Sequence, residues 1–175
     1  MRLPAPPDLT PFARCVMHVA LAGCLSTAPL TAMAVSGGGK DFSGASIEGQ
    51  DFSGQKLTGK EFRGSRGANA IFKGAALQST SFFQADLSKA SFDGADLTGA
   101  SLEEAGLDGV SFNNAVMTSA YLTRTILDAA DITGADFTDA IMPEKTLKSL
   151  CAREDAKGVN PQTKVDTRDS LMCPE

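Results

Sequence analysis

Ala85-Asp86-Leu87-Ser88-Lys89-Ala90-Ser91-Phe92-Asp93-Gly94-Ala95-Asp96-Leu97-Thr98-Gly99 makes the same statement three times: a small residue, a short polar one, a large apolar one, then two residues suited to a turn. A period of five fits neither the 3.6-residue helix nor the two-residue strand, so neither amphipathic template accounts for it. Steps of five outward from this stretch land on Phe42, Ile47, Phe52, Leu57, Phe62, Gly67, Phe72, Leu77, Phe82, Leu87, Phe92, Leu97, Leu102, Leu107, Phe112, Met117, Leu122, Leu127, Ile132, Phe137 and Met142. Only Gly67 lacks a large apolar side chain. The pattern demands a repeating coil whose interior takes one large residue every fifth position.

Two residues before these centres stand small side chains, Ala70, Ala75, Ala85, Ala90, Ala95 and Ala100 among them, with Thr80, Val110 and Thr125 as variants. Large and small inward residues alternating round a narrow coil fill it to native density. Two residues after the centres come Gly44, Gly54, Gly74, Gly94 and Gly134, placed where a corner must turn. Asp41, Asp51, Asp86, Asp96, Asp131 and Asp136 precede their centres. They are expected to point outward and bond locally at turns, a commoner fate for such aspartates than metal or substrate binding.

Segments such as Ala95-Asp96-Leu97-Thr98-Gly99 and Ala135-Asp136-Phe137-Thr138-Asp139 resemble the A-(D/N)-L-x-x signature of the pentapeptide-repeat family. That resemblance implies an all-β solenoid, a right-handed quadrilateral β-helix with four pentads to the coil. Residues 41–142 then make about five coils, a rod roughly 25 Å long at the spacing of stacked backbones. On a twenty-residue coil Phe42, Phe62 and Phe82 stack on one face, and Phe52, Phe72, Phe92 and Phe112 on the opposite one. Two facing aromatic ladders are therefore expected in the core.

The chain divides into residues 1–34, 35–40, 41–142 and 143–175. Arg2 and Arg14, an apolar stretch from Cys15 to Leu30, and Ala32-Met33-Ala34 read as a cleaved export signal with the cut between Ala34 and Val35. The stretch is short and interrupted for a membrane helix of ~20 residues. Leu21-Ala22-Gly23-Cys24 resembles a bacterial lipobox, the alternative in which Cys24 carries lipid. Residues 35–40 are a glycine-rich lead-in. After Met142 the period ends, and Pro143-Glu144, then Leu147, Leu150 and Cys151 at helical spacing, predict a short α-helical cap from Glu144 to Asp155. A second helical turn is expected near Asp166, returning Leu171 to the rod. Cys151 and Cys173 remain as an even pair in an exported chain, and a stapling disulfide is the natural inference. A pair that cycles as a redox switch is the alternative.

Trp is absent and the single histidine, His18, lies in the signal, so the usual acid–base and metal-ligating side chains are scarce. No enzyme chemistry and no cofactor are expected. The formal net charge of −5 is spread along the chain, which argues against a phosphate-binding basic patch and so against a nucleic-acid partner. Ser81-Phe82-Phe83-Gln84-Ala85-Asp86-Leu87, with Leu150-Cys151, Gly158-Val159-Asn160 and the closing run Thr167-Arg168-Asp169-Ser170-Leu171-Met172-Cys173, resemble the thylakoid lumenal pentapeptide-repeat proteins of chloroplasts and cyanobacteria, particularly the lumenal 17 kDa type. The resemblance implies a lumenal scaffold that binds protein partners, such as a thylakoid membrane complex, and no small-molecule substrate. The alternatives are a periplasmic or lipid-anchored bacterial protein, a DNA-mimicking topoisomerase protector and a thiol-regulated lumenal protein. Candidate partner-binding residues are Val116, Tyr121, Ile126 and Ile141, apolar side chains at outward positions in the last coils.

Overall fold

The computed structural model describes residues 41–174; the expected export signal, its expected cut between Ala34 and Val35, the alternative lipid site at Cys24 and the expected lead-in lie outside the described residues. From Asp41 the chain coils with twenty residues to the turn. Parallel bridges join residues twenty apart on each of four sides, as in Asp51 to Ile71 to Ser91 to Ser111 to Asp131. Along most of the rod the large residue donates its N–H forward to the next coil, as Phe52 does to the Ile71 carbonyl at 2.7 Å. The residue before each centre donates backward, as Ile71 does to the Gln50 carbonyl at 2.9 Å.

Outside the stretch from Leu122 to Ala130, the pentads close on β-turns. Ala75 N–H returns to the Phe72 carbonyl at 3.0 Å with Gly74 at φ +61° between them. That left-handed conformation is the requirement of a type II turn, and glycine meets it without penalty. Eight other residues at equivalent corners, Lys89 and Glu104 among them, hold φ of +55 to +59°. The cost of ~1–2 kcal/mol for each is carried by the ladders on either side. The aspartates before the centres brace the same corners: Asp51, Asp86, Asp96, Asp131 and Asp136 each accept the N–H of the residue two ahead, although Asp136, expected on the outside, is buried. These are Asx-turn bonds, the role the sequence assigns them.

Inside, Phe42, Phe62 and Phe82 stack with centroids 4.5 and 5.0 Å apart, and Phe52, Phe72, Phe92 and Phe112 at 4.8 to 5.3 Å. The two ladders meet edge to face across the core at 5.5 to 5.9 Å, the quadrupole-favoured arrangement. The missing side chain of Gly67 leaves no void. A Cβ there would lie 3.1 Å from Leu87 Cδ2 and 3.2 Å from Ile47 Cδ1, so its neighbours above and below already fill the slot.

One stretch departs from the five-residue reading. Arg124–Asp128 forms a 3-10 turn, with the Thr123 and Thr125 hydroxyls 2.9 Å apart at its start. The tighter winding shifts the register by one, so Ile126 is buried while Leu127 is only half-buried, and Ala129 is buried where Ala130 was expected. Ala130 N–H, rather than that of Asp131, reaches the Val110 carbonyl.

The rod ends in a cap. Helix α1, Glu144–Cys151, stops four residues short of the expected Asp155, because Arg153 and Asp155 leave the helix to bind the last coil. Helix α2, Thr167–Ser170, starts on Asp166, whose carboxylate accepts the Arg168 N–H, and Leu171 beyond it is buried as expected. A further coil would offer acceptors to the last inward N–H groups, and the cap supplies them instead. Ile132 donates to Asp155 Oδ2, Gly134 to the Lys157 carbonyl and Phe137 to Ser170 Oγ. Cys151 and Cys173 are disulfide-bonded with Cα atoms 5.5 Å apart, closing a loop of 22-residue separation.

Candidate functional site

The side of the rod that carries Tyr121 is built from the bridge column Glu61, Ser81, Ser101, Tyr121 and Ile141. Tyr121 and Ile141 face each other across one bridge, locked by Tyr121 N–H to the Ala100 carbonyl and Ile141 N–H to the Ala120 carbonyl at 2.9 and 2.8 Å. They are 44% and 54% exposed, an apolar step on a rigid backbone. The bridge partner of Tyr121 in the coil beneath, Ser101, has a small side chain.

The other two expected members of this patch do not belong to it. Val116 is 6% exposed, lying beside the corner where Asn160 binds the Asn114 and Ala115 carbonyls at 3.1 Å. The cap therefore runs along this flank of the rod as well as over its end. Ile126 is buried because the 3-10 turn rotates it into the core place that the period assigns to Leu127.

Two features of the surface escape a reading confined to the residue before each centre. Phe83 follows Phe82 on the same side as Tyr121, and Arg63 from the coil below lies over its ring at 5.0 Å, a cation–π contact. An aromatic residue directly after an aromatic centre was the signal for it. Ile71 precedes Phe72 and is also exposed, on the opposite side and in an earlier coil than the four candidates.

The cap carries a second concave surface. Leu147, Cys151, Met172 and Pro174, with the paired Glu144 and Lys148, line a groove of about 280 Å³. The Lys148–Glu144 ion pair spans one helical turn at 2.6 Å and is solvent-exposed, so it adds little to stability. Nearer the rod, Arg153 grips Asp155 with two bonds of 2.8 and 2.7 Å and donates a third to the Leu127 carbonyl at 3.0 Å. The Arg153 bonds, aided by the Ile132 N–H and opposed by partial burial, hold the Asp155 carboxyl below its usual range. The Asp41, Asp51 and Asp86 carboxyls are lowered by their bonds from Ser43, Ser53 and Ser88. These shifts belong to turns and to the cap lock.

Among the described residues no group of three or more His, Cys, Asp or Glu side chains is placed to hold a metal ion, and no helix is long and apolar enough to cross a membrane. What the described surface offers is shape: flat sides, an aromatic step and a groove.

Pentapeptide repeats, in eight copies, match residues 41–84, 77–114 and 105–142. No curated protein sequence matches significantly. Among solved structures, the chain is similar to a pentapeptide repeat protein from the Arabidopsis thaliana thylakoid lumen at 38% identity and a TM-score of 0.69, covering 77% of this chain and 92% of that one. It is also similar to QnrB1, a plasmid-mediated fluoroquinolone resistance protein, at 21% identity and a TM-score of 0.50, over 58% of this chain and 62% of that one. The latter likeness is one of fold alone. Together these matches imply a right-handed, four-sided β-helix for the coiled region.

Proposed function

The chain belongs to the pentapeptide-repeat family, and on that footing we propose that it is a non-enzymatic interaction rod of the thylakoid lumen that docks protein partners, a thylakoid membrane complex among them, through the Tyr121–Ile141 step. The location is supported by the 38% identity with a thylakoid-lumen protein and by a disulfide, a bond that persists in exported, oxidising compartments. The docking surface rests on one observation: Tyr121 and Ile141 form a bridged, exposed apolar pair in a bridge column whose earlier members, Glu61, Ser81 and Ser101, are polar. Aromatic side chains held on rigid backbone are the usual anchors of interfaces, because little entropy is lost when they are covered.

The test is co-precipitation from solubilised thylakoid membranes with wild type and with Tyr121→Asp. The substitution is expected to abolish recovery of the partner and leave the melting temperature within about 1–2 °C of wild type, as surface changes do. A large loss of stability would place Tyr121 in the fold rather than in an interface, and unchanged recovery would remove the surface from the reading. Fractionation of organelles, with the protein found outside the lumen, would overturn the location independently.

A further inference from the structure

We propose that the partner segment seated on the Tyr121–Ile141 step is an α-helix lying lengthwise on that side of the rod. Read from the cap end, in either chain direction, it carries apolar residues over Ile141 and Tyr121, then a basic residue and then an acidic one, all on one helical face. The proposal rests on the step being a docking surface and adds what that surface selects.

The first ground is what else stands on this side. Among the described residues the other large exposed apolar side chains are Ile71, in the bridge column of Asp51 and Ser91, and Val159 and Met172 in the cap. Only Tyr121 and Ile141 therefore share a side of the rod. In the coils beneath them, two residues after Ser101, Ser81 and Glu61 of the same column, come Glu103, Phe83 and Arg63. The residues between, Leu102, Phe82 and Phe62, are buried, so the period of two keeps all three on the outer face. Glu103 is exposed, and its carboxylate accepts the Ser101 hydroxyl at 3.3 Å, while Glu104 beside it is engaged by the Gln84 amide at 2.7 Å. Arg63 is exposed over the Phe83 ring, and neither it nor Glu103 has an ion-pair partner among the described residues. From the cap downward the side reads apolar, apolar, acidic, basic. Complementary charge sets the register of a partner on such a surface.

The second ground is spacing. Successive coils are ~4.8 Å apart, and residues two apart along a strand ~6.7 Å. Along a line from Ile141 to the Arg63–Phe83 pair, Tyr121, Glu103 and the pair then lie about 4, 12 and 16 Å from Ile141. A helix places residues i+3, i+7 and i+10 on one face at about 4.5, 10.5 and 15 Å from residue i. An extended strand repeats a face every ~6.7 Å and falls about 2 Å out of step at each site. Nor can a strand pair with this side through its main chain. Those groups already serve the neighbouring coils, as Tyr121 N–H serves the Ala100 carbonyl and Leu102 N–H the Tyr121 carbonyl.

The experiment titrates the folded, isotope-labelled protein with an alanine-based helical peptide of about twenty residues, long enough to hold its helix. It carries Leu, Leu, Arg and Glu at i, i+3, i+7 and i+10; a second peptide has the four in reverse order, and each has a control with Arg and Glu exchanged. The amides of Glu103, Tyr121 and Ile141 are expected to shift. One of the two orders is expected to bind on the order of ten-fold more tightly than its control at low salt, a preference that fades in 1 M salt. In the Arg63→Glu, Glu103→Lys protein the preference is expected to invert. Equal affinity for the two charge arrangements, or no shift at those three amides with millimolar peptide, overturns the proposal. Co-precipitation from thylakoid membranes then separates it from the docking reading. Loss of the partner with Tyr121→Asp and also with the double charge substitution supports both. Loss with Tyr121→Asp alone leaves the surface a docking site and refutes the charge pattern, and retention with Tyr121→Asp removes the surface and the pattern together.

Discussion

The Asn160 side-chain amide donates to the Gly134 carbonyl at 2.8 Å, 26 residues back along the chain. The same nitrogen serves Asn114 and Ala115, while Asn160 Oδ1 accepts the Gln162 and Thr163 N–H groups. One buried side chain thus ties the cap loop to two successive coils and shapes the loop itself. Asn160→Ala is expected to cost about 3 kcal/mol, since several buried polar groups lose their partners at once. Asn160→Asp is expected to cost at least as much, because a carboxylate would face carbonyl oxygens. Urea denaturation of the two variants checks both, and a loss below about 1 kcal/mol would mean that the cap docks by apolar contact alone.

Ser65 occupies an inward position that alanine fills in later coils, and its buried hydroxyl finds no partner among the described residues. Thr80, a comparable inward hydroxyl on another side of the rod, bonds the Leu57 carbonyl at 3.0 Å. Ser65→Ala is therefore expected to raise stability by about 1 kcal/mol, and Thr80→Ala to lower it by a similar amount. Thermal melts of the pair give the opposite signs or refute the distinction.

Gly67 tests packing against pattern. Period alone asks for leucine there, but Ile47 and Leu87 already occupy the space. Gly67→Leu is expected to destabilise by about 1–3 kcal/mol through overpacking. A gain in stability would show that the two neighbours withdraw without cost.

Acid should release the cap before it unwinds the coils. The Asp155 carboxyl is held below its usual range, first by the Arg153 bonds. A lowered folded value means that the contribution is complete above the ordinary carboxylate value and fades as pH falls through the folded one. The stability deficit of Asp155→Asn relative to wild type is thus expected to be largest near neutrality and to shrink below about pH 4. A deficit independent of pH would assign the cost to the lost Ile132 hydrogen bond rather than to charge.

How much of this was legible in advance depends on where the information lies. The coil, its two phenylalanine ladders and the turn-bonding aspartates follow from the five-residue period, because each pentad sees nearly the same neighbours twenty residues away and local pattern then dictates three-dimensional position. The pairing of Cys151 with Cys173 and the return of Leu171 were legible for a similar reason, since few residues competed for those roles. What only the tertiary structure decided lies where the repeat is broken or covered. A single residue of slippage at Arg124–Asp128 exchanged the fates of Ile126 and Leu127, and periodicity carries no warning of a register shift whose driving contacts are local. Val116 left the candidate surface because the cap folds back along the rod, held by Asn160 and Gln162 through backbone carbonyls that any sequence would present. Tyr121 and Ile141 remained exposed together because their bridge lies on a side that the returning chain does not cover.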